Sequence, residues 1–104
     1  MVIRAGGAPI TLDELRSHRD RILQLADRRG AKDVRIFGSV ADATADEASD
    51  VDVLVRLEPG RSLVDLAGLK FDLEGLLGCA VDVVTEAGLK PRLRPKIIRR
   101  ARPL

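Results

Sequence analysis

The chain has 104 residues, enough for one compact domain (1–104) and too few for a second, substrate-binding domain. Hydrophobic residues make up 45% of it, yet it holds two Phe and neither Tyr nor Trp, so the core must come from Leu, Val, Ile and Ala, and some apolar surface is left for a partner. The net charge of +2 divides into an acidic body, with 11 Lys and Arg against 16 Asp and Glu over residues 1–89, and a basic C-terminal segment, with seven Lys and Arg and no acid over 90–104. Without interleaved aromatics to stack bases, that segment reads as a solvated or partner-facing tail and argues against direct nucleic-acid binding.

Residues 1–10 form an N-terminal arm without the apolar run of a secretory leader, and no later stretch approaches a membrane span, so a cytoplasmic location is expected. Cys79 stands alone, which excludes an intramolecular disulfide, and no Cys/His cluster has zinc-ligand spacing. Thr11-Leu12-Asp13-Glu14 is a capping box. Leu12, Leu15, Ile22, Leu23 and Ala26 then predict a helical stripe ending before Gly30, with His18 at its boundary. Val34–Phe37 is the first predicted strand, terminated by Gly38-Ser39, and residues 40–44 predict a short helix whose first N–H groups suit an anion. A polar loop over 46–49 delivers the chain to a strand over Asp50–Leu57, which Pro59-Gly60 ends. Ser62-x-x-Asp65 caps a helix in which Leu63, Leu66, Leu69, Leu73 and Leu76 recur at helical spacing as core residues up to Gly78. Ala80–Val84 is the third predicted strand, Thr85-Glu86 begins a short helix, Pro91 and Pro95 limit regular structure, and Lys96–Ala101 predicts a final helical turn. The order predicts an α/β domain with a small mixed sheet of about three strands flanked by helices.

The chemistry concentrates in Gly38-Ser39 and in Asp50-Val51-Asp52, which follows ten residues after Ser39. Glycine and serine on a tight turn can offer backbone N–H groups and a hydroxyl to phosphate. Side chains alternate along a strand, so Asp50 and Asp52 would share one face while Val51, Val53 and Val55 bury the other. Two carboxylates ~4 Å apart at an effective dielectric near 20 repel by roughly 4 kcal/mol, which a bound Mg²⁺ would relieve. Asp82 alternates with Val81 and Val83 in the next predicted strand, so three carboxylates converge if both strands lie in one sheet. The four fixed positions coincide by chance on the order of 10⁻⁵ per starting point, whereas an isolated Asp-x-Asp pair would say little.

With these residues the chain resembles the minimal nucleotidyltransferases, the MNT domains of the DNA polymerase β-like superfamily. Their signature is a Gly-Ser turn, about ten residues, Asp-x-Asp and a later third carboxylate, here Gly38, Ser39, Asp50, Asp52 and Asp82. The stretch Ser62–Leu66, the Val81–Thr85 strand and the ending Leu89–Ile98 look like the MntA-type members, antitoxins paired with HEPN ribonuclease toxins. The resemblance implies a polymerase β-like fold, metal-dependent transfer of AMP from ATP to a toxin tyrosine, and a hetero-oligomer with the toxin. Gly38 and Ser39 would bind the donor, and Asp50, Asp52 and Asp82 would hold Mg²⁺ and carry catalysis. Arg35 has no assigned place.

The family commonly continues the turn as Val/Arg-Ala-Arg-Gly-Glu, where this chain has Val40-Ala41-Asp42-Ala43-Thr44. An acid near the triphosphate would oppose its binding unless it points to solvent. Two other readings follow: an antitoxin that acts by occlusion without catalysis, and a transferase acting on a small-molecule hydroxyl.

Overall fold

The computed structural model describes residues 9–46 and 49–104; the N-terminal arm through Ala8, and Glu47 and Ala48 of the polar loop, lie outside the described residues. Helices α1 (Leu12–Ser17) and α2 (Arg19–Arg28) precede strand β1 (Ala31–Phe37) and the one-turn helix α3 (Gly38–Ala41). Strand β2 (Val51–Leu57), helix α4 (Leu63–Leu77) and strand β3 (Val81–Thr85) follow, then a 3₁₀ turn over Glu86–Gly88, helix α5 (Arg94–Arg100) and the two-residue strand β4 (Arg102–Pro103).

The caps behave as their chemistry dictates. Thr11 Oγ1 accepts from the Glu14 N–H at 3.0 Å, and Ser62 and Asp65 form a reciprocal capping box on α4. The single helical stripe expected over residues 12–26 is broken at His18, whose φ of −111° and ψ of 22° leave the α region. The Ser17 hydroxyl donates to the Glu14 carbonyl at 2.6 Å, a local bond of the kind that competes with helix continuation.

Among the described residues four strands, not about three, form the sheet, in the order β3-β2-β1-β4. β1 runs antiparallel to β2 and to β4, and β2 runs parallel to β3, a pairing that needs a crossover, supplied by α4. The extra strand comes from the basic segment. It docks instead of trailing into solvent: β4 pairs with Arg35 and Ile36, and the Arg16 and Arg19 guanidiniums donate to the carbonyls of Pro103 and Leu104. Pro95 falls at the first turn of α5, where its missing N–H costs nothing, so the final helix begins around this proline and not after it.

One face of the sheet carries the core. Val51, Val53 and Val55 of β2 and Val81 and Val83 of β3 pack with Ile22, Leu25, Leu69, Leu73 and Leu77 of the helices, and no polar residue is buried among the described residues. Each fully buried Leu contributes about 1.5–3 kcal/mol relative to exposure. The expected leucine stripe of α4 holds at Leu69 and Leu73, with Leu66 and Leu76 partly buried, but Leu63 is 79% exposed beside Val64 (75%) and Phe71 (77%). This helix is apolar nearly all round, so spacing alone does not decide which leucines face inward.

Candidate active site

The opposite face of the sheet carries the polar row. Asp52 lies between buried Val51 and Val53 in sequence and therefore points away from the core. It pairs in register with Phe37 on β1 and with Asp82 on β3, placing the two carboxylates on neighbouring strands about 4.8 Å apart along the hydrogen-bonding direction. Asp50 does not begin the strand as expected; it is an exposed residue just before Val51. It reaches the site through its charge.

Phe37 delivers the chain to the Gly-Ser turn at the end of β1. Gly38 has a φ of +72°, a left-handed conformation that glycine adopts without penalty. A Cβ built on it would collide with Oδ2 of Asp52, so the turn and the carboxylate are in direct apposition. The predicted helix over 40–44 is instead α3, a single turn that includes Gly38 and Ser39 themselves. The Thr44 N–H then donates back to the Ser39 carbonyl at 2.9 Å, tying the following loop to the turn.

Electrostatics single out Asp52. Partial burial raises its pKa from 3.8 to about 6, and the charges of Asp82 and then Asp50 add to the shift. Among the described residues no three His, Cys, Asp or Glu side chains form a ready-made metal cage. The donor set nevertheless fits a hard divalent cation: carboxylates from Asp52 and Asp82 in register, Asp50 within electrostatic reach, and the Cβ-less Gly38 against Oδ2 of Asp52.

Two groups near the site escape a reading of the sequence. Lys70 donates from Nζ to Glu74 at 2.8 Å and to the Val81 carbonyl at 2.7 Å, while Glu74 accepts from the Val81 N–H, so α4 clamps the outer edge of β3 next to Asp82. The Glu74 hydrogen bond chiefly raises the Lys70 pKa, with smaller contributions from Asp82 and Asp50. The i,i+4 spacing of Lys70 and Glu74 is the one signal of this clamp that the sequence carries. The second group is basic: Arg100 Nη1 lies 3.5 Å from Oδ2 of Asp42, so the acid that follows the Gly-Ser turn is exposed and ion-paired. Arg35 shares the site face one row away, opposite Leu54, with Nη2 3.7 Å from Glu86 and a buried Nε that lacks a hydrogen-bond partner among the described residues.

No helix among the described residues is long and apolar enough to cross a membrane. Residues 15–104 match the model of the nucleotidyltransferase domain family. The protein adenylyltransferase MntA of Thermococcus cleftensis is 36% identical over 96 residues, covering 88% of this chain and 94% of its own length. A solved structure, provisionally assigned as a minimal nucleotidyltransferase, superposes with a TM-score of 0.81 at 54% identity, over 91% of this chain and 97% of its own. A crystal structure of a toxin-antitoxin with AMP-PNP shares the fold, with a TM-score of 0.69 at 20% identity over 81% and 69% of the two chains. The carboxylate row beside a Gly-Ser turn thus sits in a matching fold and a matching sequence, and the chain belongs to the nucleotidyltransferase domain family and is a nucleotidyltransferase.

Proposed function

We propose that this nucleotidyltransferase moves AMP from ATP to a hydroxyl of a toxin protein in the cytoplasm and thereby acts as an antitoxin. The family resemblance supports a HEPN-type ribonuclease as the toxin and a tyrosine as the acceptor. The observation that carries the reading is the register of Asp52 with Asp82 beside Gly38. The name of the Thermococcus cleftensis relative supports a protein acceptor.

In this reading the Ser39 hydroxyl and the N–H groups of the turn donate to the phosphates of ATP, and Gly38 lets them approach Asp52. Asp50, Asp52 and Asp82 would hold Mg²⁺, which when bound offsets their mutual repulsion and the charge of the phosphates. Asp82, the more exposed of the paired carboxylates, faces the acceptor and takes its proton. The acceptor oxygen bonds to the α-phosphorus, the bond from that phosphorus to the bridging oxygen breaks, and pyrophosphate leaves with the electron pair. The chain itself forms no covalent intermediate.

The occlusion reading rests on Asp42 and Ala43. Asp42 is exposed and pairs weakly with Arg100 at 3.5 Å, which lessens the electrostatic part of its motive. Co-expression with a HEPN-type toxin, followed by incubation with ATP labelled at the α-phosphate and Mg²⁺, tests the proposal. Label should enter the co-purified toxin and pyrophosphate should appear. A folded complex that neither binds ATP nor incorporates label would overturn the enzymatic antitoxin and restore occlusion.

A further inference from the structure

The carboxylates of the site are not held equally. Asp52 lies on β2, which has β1 on one side and β3 on the other, whereas Asp82 lies on β3, a five-residue strand at one end of the sheet order. An edge strand leaves one row of backbone N–H and C=O groups that no neighbouring strand fixes. We propose that Lys70 and Glu74 stand in for a neighbouring strand and act as positioning residues for Asp82. The inference rests on the proposed role of Asp82 in holding Mg²⁺ and taking the acceptor proton.

The hydrogen bonds run to one residue. The Val81 N–H donates to Glu74 Oε2 at 3.0 Å, and the Val81 carbonyl accepts from Lys70 Nζ at 2.7 Å, while that Nζ also donates to Glu74 Oε2 at 2.8 Å. The Val81 carbonyl and the Asp82 N–H belong to one planar peptide unit, so the Lys70 bond fixes the plane from which the Asp82 residue departs. An i,i+4 pair on a helix surface ordinarily supports the helix alone. Arg61 and Asp65, at the start of the same helix, are such a pair, with Asp65 accepting from the Ser62 N–H at the cap. Lys70 and Glu74 spend their bonds on β3 as well.

Charge separates this role from a simpler one. Asp82 and Asp50 both act on the Lys70 ammonium, which therefore lies within the field of the carboxylate row. A cation that was merely nearby would repel a divalent ion from that row. A positioning residue favours the ion by keeping Asp82 in place. Removing the ammonium thus changes metal affinity in opposite directions under the two roles.

The experiment compares the parent with Lys70→Met, which keeps the stem and removes the donors, with Lys70→Arg, which restores them, and with Lys32→Met, which breaks the pairs of Lys32 with Asp27 and Glu58 at the far end of β1 from Gly38. Mn²⁺ alone is titrated into each chain, and transfer of α-labelled AMP to the co-expressed toxin is timed in single turnover at varied ATP. Lys70→Met should weaken Mn²⁺ binding by about threefold to tenfold and slow transfer on the order of tenfold to a hundredfold, with the half-saturating ATP concentration within about threefold of the parent's, since the Gly-Ser turn and Asp52 are untouched. Lys70→Arg should recover most of both losses, Lys32→Met should match the parent, and an unchanged melting temperature shows that α4 is still docked. Tighter Mn²⁺ binding in Lys70→Met, unchanged transfer, or a loss that Lys70→Arg does not recover would overturn the positioning role. The Mn²⁺ arm needs no nucleotide, so Mn²⁺ binding that weakens in Lys70→Met in a parent that transfers nothing would remove the proposed function and keep the positioning role. A parent that neither binds Mn²⁺ nor transfers would overturn both.

Discussion

The two faces of β2 obey opposite rules within the same seven residues. Val51, Val53 and Val55 are sealed into a dry core, whereas Asp52, on the other face, is only partly buried and held near two like charges. Even Leu54, fully buried on the polar face, stands outside the main core cluster, in register with Arg35 and Val84. A period of two lets one strand separate folding from chemistry, because each side chain reports to a single face. The strain of the site is therefore borne by residues whose removal leaves the core intact.

Paired substitutions give the largest effects and the hardest test of that separation. Asp52→Asn should lower adenylyl transfer by roughly a thousandfold or more, because the carboxylate at the centre of the row is lost, while the fold is kept. Leu69→Ala, in the core beneath the same sheet, should cost about 2–5 kcal/mol of stability and leave the transfer rate per folded molecule nearly unchanged. Urea unfolding and a single-turnover assay on both variants read the two axes. If Asp52→Asn unfolds the chain, or if Leu69→Ala abolishes transfer while still folded, the faces are coupled and the separation is wrong.

The same alternation makes the centre of the site legible in the amino-acid sequence. Asp52 and Asp82 follow from apolar neighbours at i±1, and the register of β2 with β3 brings them together. What stays hidden depends on interactions that no local pattern encodes. Arg102-Pro103 carries no strand signal and becomes β4 only because the unpaired edge of β1 accepts it. Pro95 breaks a helix in its interior and starts one at its first turn, and the sequence around it does not say which. Asp50 sits before the strand because pairing with β3 begins at Val51 opposite Val81. The charge of Asp42 is plain in the sequence, but nothing there points to Arg100, 58 residues later, as the group that answers it.

A smaller effect sharpens the electrostatic half of the comparison. Asp52 titrates near 6 in the folded chain against 3.8 for an ordinary aspartate, so the native state binds its proton more tightly than the unfolded chain does. Stability from this group is highest below pH 4, falls as pH rises toward 6, and its cost is fully present at neutral pH. Because the side chain is still partly exposed, solvent screening reduces that cost to about 1 kcal/mol. The difference in urea midpoint between the parent and Asp52→Asn, measured without metal at pH 5 and pH 7.5, should therefore favour the variant more at pH 7.5. Millimolar Mg²⁺ should shrink the gap. An identical difference at both pH values would mean that Asp52 is solvated like an ordinary carboxylate and that the row does not concentrate charge.

The smallest effect concerns the turn that joins the two faces. Ala43 has a φ of +58°, in the left-handed region where a Cβ crowds the following carbonyl. It closes the loop after α3, where its N–H donates to the Val40 carbonyl at 3.3 Å and Thr44 turns back onto Ser39. Ala43→Gly relieves that crowding, worth about 1–2 kcal/mol, against roughly 0.5–1 kcal/mol of added freedom in the unfolded chain, so a net gain of about 0.5–1 kcal/mol is expected. The thermal midpoint of a domain this size should rise by a few degrees, by about 4–8 °C per kcal/mol. Nucleotide affinity should hold or improve, since the substitution relaxes the segment that follows Ser39 without removing a donor. A fall in affinity with a rise in stability would show that the tension at Ala43 positions Ser39 for its ligand, and that this turn stores strain for binding instead of merely tolerating it.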